Sequence, residues 1–238
     1  MNLLLAALLC LQDDAAEEAF RKIEETLQKA KTVSLDWRCA VAKKQAENAE
    51  LLHVGGSILL KDPDRAFLLT DFNPRDPALK LIEVSDGIQL RQRQGLLDPK
   101  VQPAPKALRP ALEYAFTRLG VYYPSVVTGS FLWARTPSRD ALDGYARLAE
   151  VSQLKMGEKV REGQILSYKV KAATRNSSRP PREVDVRLLY NPVTWLPIKR
   201  ILTVDSGEPS YSIAEVYDSF ILNAEIPDEK FKLPAAGK

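Results

Sequence analysis

From Val33 the chain alternates strictly: Val33, Leu35, Trp37, Cys39 and Val41 are interleaved with Ser34, Asp36, Arg38 and Ala40. Successive side chains of a strand point to opposite faces, so this period marks a strand with one buried face. Comparable segments follow at 54–60, 66–72, 79–85, 88–93, 154–160, 164–172, 184–190, 197–204 and 211–220, mostly joined by short turns. Asp86-Gly87 between two of them is a strong hairpin signal, because both residues tolerate positive φ. About ten such strands imply an antiparallel meander, which twist curls and whose apolar face needs a cover.

The cover is expected from helices. Residues 14–31 place Ala16, Phe20, Ile23 and Leu27 on one face, with Asp14 and Glu17 spaced as a capping box. A second helical pattern, Leu108, Ala111, Leu112, Ala115, Phe116 and Leu119, follows the proline-rich stretch 99–110 and stops at Gly120, and a third is expected over 138–148. Between these two, residues 121–133 are apolar and aromatic without a period, and exposed aromatics there would suit a lid or a docking surface. The expected fold is mainly β (α+β): a single curved antiparallel sheet forming an incomplete barrel, its concave face covered by about three helices. At 238 residues, one domain over 13–238 with a partly helical insertion near 96–150 is the natural division.

Residues 3–11 are an uninterrupted apolar run followed by Gln12-Asp13-Asp14. That is the length of a signal-peptide core and well short of the roughly 20 residues a membrane-spanning helix needs. A signal over 1–12 is therefore expected, with export to the periplasm or cell envelope, although a basic leader and a small-x-small cleavage site are missing. Ala7-Leu8-Leu9 lacks the small residue wanted before a lipidated cysteine, so anchoring at Cys10 is not expected. Once the signal is removed, Cys39 is the one remaining thiol and no internal disulfide can form.

The composition argues against several chemistries. A net charge of +3 from 34 basic and 31 acidic residues offers no stripe for a phosphate backbone, so nucleic acid is not an expected partner. Arg175, Arg179 and Arg182 around Pro180-Pro181 read as a solvated loop. The single histidine, His53, stands without a Gly-x-Ser-x-Gly elbow, so no catalytic residues are assigned. One histidine and two cysteines supply no metal cluster, and neither a metal nor a cofactor is expected. Gly55-Gly56-Ser57 precedes a strand rather than a helix and reads as a bulge or tight turn. The pairs Glu17/Glu18 and Glu24/Glu25 fit a solvated helix face.

Large apolar residues on one phase, such as Ile58/Leu60, Leu166/Tyr168/Val170 and Val186/Leu188, would line a trough beneath the helices. Periodicity alone leaves two outcomes open: a trough holding an apolar ligand, or a tightly filled core. Leu35, Trp37, Ile58, Leu60, Phe67, Leu69, Tyr168 and Val170, each on the more apolar phase of its strand, are the expected lining.

Particular segments carry a resemblance. Lys61-Asp62-Pro63-Asp64-Arg65 joins two strands, and Leu189 to Lys199 contains Asn191-Pro192-Val193-Thr194-Trp195-Leu196-Pro197. Tyr217-Asp218-Ser219-Phe220 leads through Asn223 and Pro227 to Phe231 and Pro234. Together with the order of elements, these segments resemble the LolA/LolB-like outer-membrane lipoprotein carrier superfamily over roughly residues 15–234, with 96–150 alike only in outline. The resemblance implies a non-enzymatic monomer whose hydrophobic cavity holds a lipid or acylated lipoprotein, with an envelope membrane protein as a further partner. An interaction or scaffold module with a filled core is the alternative. One position departs from the pattern: the residue before Pro63, basic in carriers, is Asp62, and the nearest arginine is Arg65.

Overall fold

The computed structural model describes residues 3–43, 50–73, 75–104, 149–172, 182–204 and 211–234. Helix α1 spans Leu3–Lys29. It runs through Asp14 without a break, so Asp14 and Glu17 lie inside the helix rather than capping it. Ala16, Ala19, Phe20, Ile23 and Leu27 are buried on one side. On the other, Lys22 pairs with Glu18 at 2.7 Å and Lys29 with Glu25 at 3.1 Å, the four-residue spacing that suits a solvated face. Among the described residues no helix is long and apolar enough to cross a membrane.

Eleven strands form one sheet: β1 (Thr32–Lys43), β2 (Glu50–Lys61), β3 (Arg65–Asp71), β4 (Lys80–Asp86), β5 (Gln89–Gln94), β6 (Lys100–Pro103), β7 (Ala149–Val160), β8 (Gly163–Ala172), β9 (Arg182–Tyr190), β10 (Pro197–Val204) and β11 (Tyr211–Leu222). Their order is β6-β5-β4-β3-β2-β1-β11-β10-β9-β8-β7, with every described pairing antiparallel. Each half is a meander, and β1 meets β11 at the seam between them. The sheet is mainly β and unclosed, as an incomplete barrel requires. Its edges, β6 and β7, are consecutive among the described strands. One α-helix is described where about three were expected; the other two fall within 105–148, outside the described residues, as do the aromatic stretch 121–133 and most of the expected insertion.

Local chemistry places the turns. Gly87, at φ 91°, turns β4 into β5, and Asp86 Oδ1 accepts hydrogen bonds from the Ile88 and Gln89 amides at 2.9 and 2.8 Å. Between β9 and β10, Asn191 Oδ1 accepts the Val193 and Thr194 amides at 2.8 and 3.2 Å, a side-chain mimic of a backbone turn. That turn ends with Trp195 stacked on Tyr190, ring centroids 5.7 Å apart, and Lys22 of α1 sits 4.9 Å above the indole. The edge strand β7 carries two irregularities in register and Gln153 at φ 54°, which twist it away from regular pairing with another chain.

After β11 the chain turns at Asn223, at φ 58°, whose side chain accepts the Lys31 amide at 2.8 Å. The tail then crosses the side of the sheet opposite α1. Thr32 Oγ1 donates to the Ala224 carbonyl at 2.6 Å, and Lys61 Nζ donates to the Ile226 carbonyl at 3.1 Å and to Asp228 at 2.6 Å. Phe231, in a short 3-10 turn over Asp228–Phe231, is buried, and Arg93 donates to the Pro234 carbonyl at 2.6 Å.

Candidate functional site: the inner face of the sheet

Directly opposed residues on antiparallel strands share a face, so the register defines the inner face, the one that meets α1. Val33, Leu35, Trp37 and Cys39 of β1 oppose Leu60, Ile58, Gly56 and Val54 of β2. Ile58 and Leu60 in turn oppose Leu68 and Ala66 of β3. Across the seam lie Tyr217, Glu215 and Ile213, then Arg200, Leu202 and Val204. Leu188, Val186 and Val184 of β9 follow, facing Leu166, Tyr168 and Val170 of β8. Nearly all of these are buried. Helix α1 packs on β7 and β8, where Phe20 meets Tyr168 edge-on at 5.2 Å.

Six of the eight residues expected to line the trough, Leu35, Trp37, Ile58, Leu60, Tyr168 and Val170, lie together on this face. Phe67 and Leu69 do not. Their register partners are Leu59 and Ser57 on one side and Val84 and Ile82 on the other, all on the outer face, while Ala66 and Leu68 point inward. The correction has a physical reason: the tail covers the outer face of β3 and β4, so both phases of β3 meet protein and alternation carries no direction there. Phe67 instead lines an outer groove of about 710 Å³ between tail and sheet, with Leu59, Ser57, Asp36, Ile221 and Leu233.

Gly55-Gly56 is neither a bulge nor a tight turn. Both glycines sit in regular register inside β2, and Gly56 faces Trp37. A β-carbon at Gly56 would collide with the Leu69 carbonyl oxygen and approach the Trp37 indole nitrogen to 3.1 Å. The strand therefore needs a residue without a side chain where the indole lies.

The inner face also holds polar groups that alternation did not reveal as a site. Arg200 and Glu215 are each 0% exposed and directly opposed on β10 and β11. Tyr217 Oη donates to Glu215 Oε2 at 2.8 Å. Burial opposes the charge on Arg200, yet the electrostatic influence of Tyr217, Tyr168 and Glu215 leaves its pKa raised. Burial, then Glu215, pushes the Cys39 thiol up, which keeps it protonated and a poor nucleophile. The signal was present in the sequence: Arg200 is in phase with Leu202 and Val204, and Glu215 with Ile213 and Tyr217. Glu83 of β4 also faces inward, opposite Leu68. It lies four strand spacings from Glu215, roughly 19 Å along the curve of the sheet.

Arg65, the arginine nearest the position that is basic in carriers, pairs with Asp228 of the tail on the outer side. It fixes the tail rather than an inner lid.

No protein-family model matches the chain. No curated protein matches it in sequence. Among solved structures, the lipoprotein LppX of Mycobacterium tuberculosis is similar at 14% identity and a TM-score of 0.41, over 90% of this chain and 98% of that one. A DUF1329 family protein from Desulfovibrio piger is similar at 10% identity and a TM-score of 0.39, over 94% and 99%. A LolA superfamily protein from Nitrosomonas europaea is similar at 11% identity and a TM-score of 0.38, over 92% of this chain and 97% of that one.

Proposed function

We propose that the chain is a non-enzymatic cell-envelope carrier or binder that holds the acyl chain of a lipid or lipoprotein against the inner face of its sheet. The observation that carries this reading is the continuity of that face. Buried apolar residues run from Leu68 on β3 through Ile58, Leu35, Leu202 and Val186 to Val170 on β8, while α1, the one described helix, packs on β7 and β8. Each ligand methylene taken out of water stabilises a bound chain by about 0.8 kcal/mol, so an apolar face of this extent would hold an acyl chain that displaces part of its present cover. The resemblance of the segments at 61–65, 189–199 and 217–234 to lipoprotein carriers supports the same reading.

The test is native mass spectrometry of protein purified from its own envelope without detergent, followed by solvent extraction. A mass released on unfolding, and absent from a folded Trp37→Asp/Leu60→Asp variant, supports the carrier. If that variant does not fold, uptake of a fluorescent fatty acid by delipidated wild-type protein decides. Bare polypeptide that takes up no fatty acid refutes it.

A second reading, an envelope interaction module, is favoured by the outer groove of about 710 Å³ under the tail. A protein partner protecting Phe67 and Leu59 from hydrogen exchange, with no lipid bound, would favour it.

A further inference from the structure

The Trp37 indole is 2% exposed, and its Nε1 is buried with no hydrogen-bond partner among the described residues. A buried N–H without an acceptor is costly, and native structures keep few of them. The cost is not forced by packing, since a phenylalanine would fill most of the same space without a donor. A water at this point would need about two to four polar partners. The flanking positions in the same row are Gly56, which has no side chain, and Tyr217, whose hydroxyl donates to Glu215 and does not accept from the indole.

The neighbouring row carries Cys39, Glu215 and Arg200 side by side, with Glu215 and Arg200 fully buried. Burying charged side chains carries a desolvation cost that apolar residues in the same places would not incur. Of the buried polar side chains on the described inner face, Arg200 and Glu215 lie here at the seam, while Thr70 lies on β3 and Glu83 and Ser85 on β4. A surface built only to be dry would place leucine and valine at these positions, as the adjacent row does with Val41, Ile213, Leu202 and Val186.

We propose that this seam patch reads the oxygen-bearing head of an acyl cargo, with the Trp37 indole N–H donating to an ester or carboxyl oxygen at the end of the chain while the flanking apolar rows hold the hydrocarbon. The inference rests on the carrier reading and adds a polar feature to the cargo. An unfunctionalised hydrocarbon would satisfy the rows and leave the N–H unmet.

The experiment follows the Trp37 Nε1–H resonance in ¹⁵N-labelled protein, assigned with Trp37→Phe, while delipidated protein receives methyl laurate, laurate or tetradecane from cyclodextrin. The methyl ester and the alkane have matched chain lengths. The expected result is a downfield move of that resonance with the ester, the carboxylate or both, and none with tetradecane. The wild-type preference for the responding acyl probe over tetradecane should fall about 5- to 10-fold in Trp37→Phe, the size of one buried hydrogen bond. Which acyl probe moves the resonance tells whether the head is neutral or charged. Acyl binding that leaves the resonance in place, or an equal move with tetradecane, overturns the inference while leaving the carrier standing. Failure of all three probes to bind overturns the carrier reading, and this inference falls with it.

Discussion

Trp37 and Gly56 are direct cross-strand partners, and the indole occupies the space that any side chain on residue 56 would need. A β-carbon there meets not a flexible side-chain end but the backbone oxygen of Leu69, so β2 and β3 would have to part to admit it. Gly56→Ala is expected to lower stability by about 1–3 kcal/mol or more, the range for overpacking a closed core. Urea unfolding followed by circular dichroism measures it; an unchanged midpoint would mean that the strands part freely.

The two faces of β3 make a paired prediction. Leu68 points inward at 2% exposure, whereas Leu69 is only half-buried on the tail side. Leu68→Ala should cost about 2–5 kcal/mol as a core deletion, and Leu69→Ala distinctly less. Equal losses in chemical denaturation would contradict the assigned phase.

The tail is held by an acid-sensitive pair. Hydrogen bonds from Arg65 and Lys61 lower the Asp228 pKa from 3.8 to about 2. A depressed folded pKa means that the contribution is fully present above the unfolded value of 3.8 and is lost as pH falls through about 2. The Asp228 side-chain carboxyl ¹³C shift should therefore titrate near 2 in the wild type. In Arg65→Gln the midpoint should rise toward 3.8. A wild-type midpoint near 3.8 would show that the pairs do not form in solution.

Cys39 should be silent in the folded protein. Burial and then Glu215 keep its thiol protonated, so a Cys10→Ser form should resist a disulfide reagent until unfolded in urea, then react with one equivalent. Prompt labelling of the native protein would place the residue in solvent.

The same particulars show what was legible in the sequence. β1 was readable residue by residue because its outward side chains, Asp36 and Arg38 among them, are polar. β3 was not, because Phe67 and Leu69 lie beneath the tail, and a strand covered on both faces reads apolar throughout. The tail's burial of Phe231 depends on contacts far along the chain, which no local pattern records. Arg200 and Glu215 are hard to read for the opposite reason: charged residues suggest solvent, and only their phase with Leu202 and Ile213 betrays an inward direction. Asn191 and Asp86 announced their turns because the relevant hydrogen bonds are local. Gly56 suggested a bulge or tight turn, since its need for an absent side chain comes from Trp37 on another strand.

The seam between β1 and β11 has a consequence for biogenesis. Val33 finds its partner at Leu222, so the strand at the centre of the finished sheet waits for the last described strand to be synthesised. Until then β1 is the open border of a half-built sheet, with Leu35 and Trp37 uncovered and backbone donors ready to pair with any extended chain nearby. Such a nascent chain stays safe only if its termini meet quickly or a chaperone guards that border, and its yield will depend on how the last strand arrives as much as on how stable the folded protein becomes.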